Sequence, residues 1–340
     1  MNPPPGDDHR RIIRRRFLGA TAAMGVVGTG YLGWRSWQTN GGPPVVIIKA
    51  QNYRDALKQK LLDGLKALSF GTAQVSGRKV LLKPNLVEPR AAAEHINTHP
   101  MLILAAIESF RSLGAASVTV AEGAGHVRDP YFVLEESGLL EPLAEDRTPF
   151  IDLNFAPVKV IANAGGMTSM RELALPQPVL EADIVVSLAK MKTHHWTGAT
   201  LTMKNLFGVM PGSYYGWPKN VLHRAGIPES ILDIYATLRP QLGIVDGIVG
   251  MGGDGPIMGT PVQANVLVMG TNLPAVDSTC ARVMGLRPEK IEYLQHAGNL
   301  GPIDARQIDQ RGERVETVRH DFPLLDFIPA HKSLREGRPA

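Results

Sequence analysis

Short β-branched runs alternate with amphipathic segments along most of this chain of 340 residues. The first run, Val45–Lys49, precedes Tyr53–Leu68, where leucines recur at the spacing of one helical face. A second run, Arg78–Val87, precedes a helix predicted over Met101–Leu113. Strands that alternate with helices of this length form βαβ units, in which the strands are parallel. The sequence therefore predicts an α/β fold, with a mostly parallel sheet and helices on both faces.

The same alternation continues toward the C-terminus. The predicted strands are Ser117–Ala121, Phe150–Leu153, Val158–Ile161, Leu173–Pro176, Ile184–Leu188, Leu242–Asp246, Val266–Gly270 and Val315–Arg319. The predicted helices are Val133–Leu143, Ile227–Leu238, Ala275–Met284 and Pro288–Ala297. The segment Gly208–Pro218 is rich in glycine, tyrosine and proline, and it is predicted to be a long loop that could act as a lid.

The N-terminal segment carries a targeting pattern. Residues 14–19 read Arg-Arg-Arg-Phe-Leu-Gly and precede a weakly apolar run that ends near Trp34. This pattern resembles a twin-arginine export signal, with Ile13 in place of the usual serine or threonine. An anchoring or amphipathic basic helix is the alternative, since Phe17–Trp34 is barely long enough to span a bilayer. We therefore expect a periplasmic protein exported through the twin-arginine (Tat) translocon, or one anchored to the membrane by an uncleaved N-terminal segment.

These features divide the chain into three parts. Residues 1–43 are predicted to be the signal or anchor with a linker, residues 44–312 an α/β domain, and residues 313–340 a C-terminal tail. The resemblance of the N-terminal segment to a twin-arginine signal implies an export route that carries folded proteins. This route suits a protein that acquires a cofactor or a partner in the cytoplasm.

Charge and cysteine content exclude some classes of protein. The net charge of +4 is supplied by arginines near the N-terminus, so the body is near neutral and no nucleic-acid partner is expected. Cys280 is the one cysteine of the sequence, which excludes an intramolecular disulfide and an iron–sulfur cluster held within this chain. The sequence around Cys280 predicts that this residue is buried and structural. Any other cofactor is left unknown.

Cations and amides follow the predicted strands. The residues concerned are Lys83, Asn85, Lys190, Lys192, Lys204 and Asn205. Ligands of open α/β sheets bind beyond the carboxyl ends of the strands, and lysine ammonium groups there suit phosphate or carboxylate. The alternative is a solvated basic loop. We expect these side chains to line one pocket and to bind the substrate.

Three histidines accompany the lysines. His194 and His195 are adjacent, and His223 follows the predicted loop. Successive side chains of a strand point to opposite sides, so at most one of the adjacent pair is expected in the site, and we favour His194. These histidines are candidates for acid–base or substrate-binding groups, for metal ligands, or for loop residues without a role. Whether a metal is bound is left unknown.

Carboxylates and glycines complete the candidate site. Glu122 follows a predicted strand and is expected to contact the substrate. Asp246 and Asp254 flank the glycine-rich segment Gly247–Gly255, which is predicted either to cradle an anion or to form turns. The two aspartates are candidate general bases or ligands of a hard cation. Asp277 lies early in a predicted helix, where a carboxylate also favours the helix dipole.

Several segments together resemble the domain of unknown function 362 family. They are Leu-Leu-Lys-Pro-Asn-Leu-Val (residues 81–87), Val-Thr-Val-Ala-Glu-Gly (118–123), Ala-Asp-Ile-Val-Val-Ser-Leu-Ala-Lys-Met-Lys-Thr-His (182–194), Thr-Met-Lys-Asn-Leu-Phe-Gly-Val-Met-Pro-Gly (202–212), Ile-Val-Asp-Gly-Ile-Val-Gly-Met-Gly-Gly-Asp-Gly-Pro-Ile (244–257) and Ala-Val-Asp-Ser (275–278). They extend from about residue 45 to residue 312. Many members look like fusions or partners of four-iron ferredoxin modules. Since this chain lacks those cysteines, the resemblance implies that a redox role would need a partner subunit.

The main hypothesis is an exported enzyme of unsettled reaction that acts on a small anionic substrate, a carboxylate or a phosphate. Lys190, Lys192 and Lys204 would hold the anion, while His194 with Asp246 or Asp254 would move protons. A metal or an organic cofactor is left open. The alternative is a periplasmic ligand-binding protein, or an accessory protein of a redox complex, without catalysis.

Overall fold

The structure is a computed structural model that describes residues 41–90, 93–125 and 129–335. The compact α/β unit begins at Pro43. The predicted export signal lies outside the described residues. Among the residues described, no helix combines the length and the apolar character needed to cross a membrane.

The strands are β1 (Pro44–Lys49), β2 (Lys79–Pro84), β3 (Ser117–Glu122), β4 (Phe150–Asp152), β5 (Val158–Ala162), β6 (Glu172–Pro176), β7 (Ile184–His194), β8 (Gly198–Thr200), β9 (Leu242–Gly252), β10 (Thr260–Gly270) and β11 (Asp309–Gly312). The helices are α1 (Leu57–Ala67), α2 (Thr72–Val75), α3 (Pro100–Ser112), α4 (Pro130–Glu136), α5 (Leu140–Glu145), α6 (Gln177–Leu180), α7 (Thr202–Asn205), α8 (Gly212–Tyr215), α9 (Asn220–Ala225), α10 (Ile227–Leu238), α11 (Leu273–Val283), α12 (Glu292–Gln295) and α13 (Val315–Val318). Short 3₁₀ helices cover Leu206–Val209, Pro288–Lys290, His296–Asn299, Ala305–Gln307 and Pro329–His331.

Within the described ranges, nine strands form one mixed sheet. Its order is β11-β1-β10-β9-β7-β2-β3-β4, and β8 pairs with the end of β7. From β9 to β4 each neighbouring pair is parallel, whereas β10 is antiparallel to both β1 and β9. Strands β5 and β6 form a separate two-stranded sheet. The predicted α/β fold with a mostly parallel sheet is confirmed.

The sheet is covered on both faces because its side chains alternate between two cores. In β2, Val80 and Leu82 join the core that includes Leu61 of α1 and Phe110 of α3, while Leu81 joins the opposite core with α10 and α11. Fully burying a leucine or phenylalanine side chain is worth roughly 1.5–3 kcal/mol. We call these the α3 face and the α11 face of the sheet. Helices on both faces were predicted and are found.

Strand β7 is longer than predicted. It continues beyond Leu188 to His194 and is buried throughout. Lys190, Lys192 and His194 occupy alternate positions, with Met191 and Thr193 between them. The polar residues that were predicted to follow the strand therefore belong to it, because tertiary partners compensate their burial.

Strand β9 also continues past its predicted end at Asp246. Its glycines allow close packing: a Cβ on Gly247 would lie 2.8 Å from Met191 Cε, and one on Gly250 would lie 2.9 Å from Met191 O. Gly247 to Gly252 pair with β10. This part of the glycine-rich segment is therefore strand rather than the anion cradle that was one of its two interpretations.

The C-terminal region differs from its prediction as well. The strand predicted at Val315–Arg319 is a helical turn, α13, and β11 adds an unpredicted parallel strand beside β1. Beyond it, Phe322, Ile328 and Leu334 are buried. Residues 313–335 thus contribute to the core.

Candidate functional site

The predicted site residues lie where β2, β3 and β7 end, but on two faces of the sheet. Lys83 follows Leu82 in β2 and points to the α11 face, whereas Lys190 follows Ala189 in β7 and points to the α3 face. The single pocket predicted from the sequence is therefore divided into two groups of side chains.

The group on the α3 face is centred on Asp246. Its carboxylate accepts hydrogen bonds from Lys190 Nζ (2.9 Å), from Tyr53 OH (2.9 Å) and from the backbone N–H of His99 (3.1 Å). Lys190 also donates to Tyr53 OH (2.8 Å), and neither Lys190 nor Asp246 is exposed. Burial lowers the pKa of Lys190, and Asp246 opposes that shift. The geometry assigns this pair a structural role, and the predicted functional roles of Lys190 and Asp246 stay predictions.

A cleft of about 670 Å³ adjoins this group. Tyr53 and His99 stack at its floor, with ring centroids 3.6 Å apart and planes at 8°. Glu94, Arg54 and Gln263 contribute to its lining. Neither the lysines of the α11 face nor His194 line this cleft.

The group on the α11 face is built on a second ion pair. Lys83 Nζ donates to Glu122 Oε2 (2.7 Å), to Asn205 Oδ1 (3.0 Å) and to Pro84 O (2.7 Å). All three ammonium protons thus have acceptors inside the protein. Burial lowers the pKa of Lys83, while Glu122 acts to raise it. The predicted contact of Lys83 and Glu122 with a substrate stays a prediction.

Two asparagines extend this network. Asn205 Nδ2 donates to Lys83 O (3.0 Å) and to Ser187 Oγ (3.1 Å), and Asn205 Oδ1 accepts from Asn85 Nδ2 (3.1 Å). The orientation of Asn85 follows from this contact, because its Oδ1 would repel Asn205 Oδ1 if the amide were reversed. Asn85 Oδ1 is buried and has no hydrogen-bond partner among the residues described. A buried acceptor without a donor is uncommon and suits a ligand that donates.

The segment after β8 folds back onto this ion pair. A Cβ on Gly208 would lie 2.2 Å from Glu122 Oε1 and 2.6 Å from Lys83 Nζ. Farther along, Asn154 Oδ1 accepts from the backbone N–H of Gly212 (3.0 Å) and from Lys219 Nζ (2.6 Å). The segment predicted as a lid packs against the site, and its role as a lid stays a prediction.

Lys219 was not predicted. It lies after Pro218 in a left-handed backbone conformation, and its ammonium also donates to Met210 O. It is 5.7 Å from the ring centroid of Trp217. Burial lowers the pKa of Lys219 to about 7. No pattern in the sequence pointed to it, because its partner Asn154 lies far away along the chain.

Lys204 is the second lysine with a strongly lowered pKa. Its side chain is half-buried, and its Nζ lies 3.9 Å from the ring centroid of Phe207. Burial and the neighbouring Lys83 and Lys219 lower the pKa of Lys204 to about 7. Within the part of the chain that the structure describes, its ammonium has no hydrogen-bond acceptor and no carboxylate partner.

Lys192 lies near the end of β7, two residues before His194. Its ammonium donates to the backbone oxygens of Ile96 (2.8 Å) and Pro256 (3.3 Å), and no described carboxylate forms an ion pair with it. Burial, followed by the charge of Lys190, holds the pKa of Lys192 well below its ordinary value.

His194 is buried and neutral. Its Nδ1 accepts from the backbone N–H of Trp196 (3.0 Å), so the ring proton is on Nε2. Burial and the charge of Lys204 hold the pKa of His194 well below its ordinary value. His195 lies in the turn after β7, with its ring centroid 4.9 Å from that of His194 and its Nδ1 3.4 Å from Asp254 Oδ1. The alternation predicted for the two histidines does not apply, because His195 lies beyond the end of the strand.

The ring of His223 lies between two other rings, that of Trp196 near His194 and that of Phe207 near Lys204. Its ring centroid is 5.2 Å from that of Trp196 and 5.6 Å from that of Phe207. The charge of His223 also lowers the pKa of His194. In the described residues, no three side chains of His, Cys, Asp or Glu converge closely enough to hold a metal ion.

Asp277 and Cys280 lie behind the site in α11. The Asp277 carboxylate accepts from the backbone N–H groups of Thr202 (2.8 Å) and Met203 (3.0 Å), so it caps the turn that carries Lys204 rather than its own helix. Burial raises the pKa of Asp277 to about 7. Cys280 is buried, as predicted, and burial raises the pKa of its thiol.

Comparisons with known proteins give relatives of limited similarity. A thylakoid-associated protein of Synechocystis sp. is 27% identical over 267 residues, which cover 76% of this chain and 79% of the relative. The lactate racemase apoprotein from Thermoanaerobacterium thermosaccharolyticum has a TM-score of 0.45 at 16% identity, over 70% of this chain and 57% of that one. A protein from Thermotoga maritima has a TM-score of 0.36 at 13% identity, over 66% and 58%. The chain thus spans less than two thirds of each solved structure.

The comparison with family models shows to which protein family the chain belongs. The model described as a domain of unknown function (DUF362) matches residues 80–282. This span contains β2 from its second residue onward, the whole of β7 and the turn with Lys204. It is shorter than the span from about residue 45 to residue 312 that the motifs predicted. Because it covers more than half of the 340 residues, the chain belongs to the DUF362 family.

Proposed function

We propose that this protein is an enzyme that acts on a small anionic substrate, a carboxylate or a phosphate, bound on the α11 face beside the end of β7. The observation that carries the proposal is a surplus of cations. Lys192, Lys204 and Lys219 have no ion pair with any described carboxylate, and each interacts electrostatically with at least one member of the Lys83–Glu122 pair.

An anion would compensate this surplus. A charge that is removed from water without a partner is costly, and its pKa shifts toward the neutral form. Lys83 and Lys190 meet only part of this cost, because each has a buried carboxylate partner that opposes the fall in its pKa. Lys204 and Lys219 have none among the described residues, and both have a pKa of about 7. An anion placed between them would restore their protonated forms.

Lys204 is also suited to proton transfer. A catalytic acid or base works best when its pKa lies near the working pH, and Lys204 meets this condition. His194 is suited to donation, because its Nδ1 already accepts a hydrogen bond and its Nε2 carries the proton. The proposal therefore changes the roles expected from the sequence: Lys204 exchanges the proton, and neutral His194 donates a hydrogen bond to a substrate oxygen.

Binding is tested by titration calorimetry with inorganic phosphate and acetate near neutral pH. The wild-type protein should bind at least one of them, and Lys204→Met should weaken binding by about tenfold or more, since a charge-assisted hydrogen bond contributes about 1.5–3 kcal/mol. Lys58→Met on the exposed surface of α1 is the matched control and should bind as the wild type does. A wild-type protein that binds no anion refutes the proposal.

Catalysis is tested separately. Small α-hydroxy and α-amino carboxylates are incubated with the protein in D₂O, and exchange of the hydrogen beside the carboxylate is followed by NMR. Exchange that depends on Lys204 supports an enzyme that moves this proton. Binding without exchange of any compound favours the alternative, a ligand-binding or redox-accessory protein.

Export by the twin-arginine route is part of the same proposal and rests on residues 14–19. The relative from Synechocystis sp. is named as thylakoid-associated, which supports an association of this chain with a membrane. Replacing Arg14 and Arg15 with lysine should retain the protein in the cytoplasm, as measured by cell fractionation. An unchanged distribution between the fractions contradicts this route.

A further inference from the structure

We propose that the anion bound at this site carries a planar aromatic ring, and that Trp196 stacks on that ring. The inference rests on the proposed function, because it concerns the same site and names the class of its ligand.

The indole of Trp196 is fixed without being covered. The backbone N–H of Trp196 donates to His194 Nδ1 (3.0 Å), which ties the residue to the end of β7. The indole meets His195 at a centroid distance of 4.6 Å with planes at 88°, and His223 at 5.2 Å with planes at 70°. These near-perpendicular contacts hold the ring, yet 55% of the residue is exposed.

The exposed indole is continuous with the cationic site. His223 lies 5.6 Å from Phe207, and the Lys204 ammonium lies 3.9 Å from the Phe207 centroid. We call Trp196, His223 and Phe207 the aromatic row. Phe207 is buried and His223 is half-buried, so the ring on which a ligand beside Lys204 could stack is that of Trp196.

This arrangement favours one class of ligand over simple anions. Aromatic rings gain most from offset or stacked contact with another ring, and tryptophan provides the largest such surface. A compact anion such as phosphate would engage Lys204 and leave the indole exposed. A carboxylate or phosphate joined to a planar ring would engage both. Phe327 is also exposed, but no cation or ring contact joins it to the described site.

Two matched pairs of ligands test the inference by titration calorimetry. Benzoate and cyclohexanecarboxylate share a carboxylate, but only benzoate is planar and aromatic. Adenosine monophosphate and ribose phosphate share a phosphate and a sugar, and only the first has a planar aromatic base. The pairs cover a short and a longer separation between anion and ring. In at least one pair the aromatic member should bind about fivefold to tenfold more tightly.

Variants then assign the preference to Trp196. Trp196→Leu should reduce the ratio of the two Kd values to about one, and Trp196→Phe should retain part of it. Phe327→Leu removes an exposed aromatic ring from another surface and should leave the ratio as in the wild type. If the ratio of the two Kd values is the same in Trp196→Leu as in the wild type, Trp196 does not cause the aromatic preference and the assignment is wrong.

The outcomes separate the two proposals. If both members of each pair bind equally well, the aromatic preference is wrong, although the anion site stands. If no anion binds at all, the proposed function fails and this inference fails with it. If Lys204→Met weakens both members of a pair while Trp196→Leu removes only their difference, both proposals are supported.

Discussion

Replacing Lys204 with methionine should make the protein more stable while it weakens anion binding by about tenfold or more. Methionine is one atom shorter than lysine and replaces the contact of the ammonium with the Phe207 ring by a sulfur–aromatic contact, but it has no charge to bury. Lys204 has no described acceptor for its ammonium, so the wild-type side chain contributes a penalty to folding. The gain in stability and the loss of binding then have one cause.

The magnitude follows from the pKa. The pKa of Lys204 falls from 10.5 to about 7, and each unit corresponds to about 1.4 kcal/mol, which gives an upper limit of about 5 kcal/mol. Water reaches the half-buried side chain and screens its charge, so we expect a gain of about 2 kcal/mol.

The gain should depend on pH with a definite sign. The folded protein binds the Lys204 proton less tightly than the unfolded chain does, so the penalty is complete below about pH 7. It declines as the pH rises from about 7 to 10.5, where the unfolded chain also loses the proton. Lys204→Met should therefore be stabilising by about 2 kcal/mol at about pH 6 and nearly neutral at about pH 10.

Urea unfolding of both proteins at these two pH values measures the difference. The matched control is Lys190→Met, which leaves Asp246 buried without its cation and should destabilise the protein by about 3–5 kcal/mol. If Lys204→Met destabilises the protein at both pH values, or stabilises it equally at both, the charge of Lys204 is not the source of the penalty and the reasoning is refuted.

Three further predictions concern the same region. Anion affinity, measured by titration calorimetry, should fall by up to about tenfold per pH unit above about 7, because the anion needs the ammonium form of Lys204; affinity that rises there would contradict this. Gly208→Ala should lower the free energy of unfolding by about 1–3 kcal/mol, since its Cβ would lie 2.2 Å from Glu122 Oε1, whereas Gly298→Ala has open space and should be nearly neutral in the same urea titration. Lys83→Met should cost about 3–5 kcal/mol, and adding Glu122→Gln should recover part of that loss, so a purely additive double variant would count against the pair.

The sequence was sufficient for the fold because the pattern of hydrophobic residues is local. Alternating strands and helices predicted the parallel sheet, and Ile227–Leu238 has the predicted bounds. The ends of β7 and β9 were placed too early. Lys190 and Asp246 are polar, and a polar residue considered by itself indicates the end of a buried strand. They continue in strands because they neutralise each other across the sheet, and that partnership is not visible in either local segment.

Only part of the candidate site was predicted, again because some of its contacts join segments that are distant in the chain. Lys83, Glu122 and Asn205 were expected to come together, and the hydrogen bonds between them show that they do. Tyr53 was assigned only to a helix, although its hydroxyl reaches Asp246 from 193 residues away in the chain. Contacts of this kind depend on the packed fold, and they decide which lysines are neutralised and which remain available.

The alternate placement of Lys190, Lys192 and His194 on β7 limits how this strand can change in evolution or design. A strand has a side-chain period of two, so deleting one residue before Lys190 would exchange the faces of all three at once. Lys190 would then lie on the face away from Tyr53, and Met191 would take its place beside Asp246. We expect insertions and deletions to be tolerated in the exposed loops, whereas β7 should accept substitutions but no change of length.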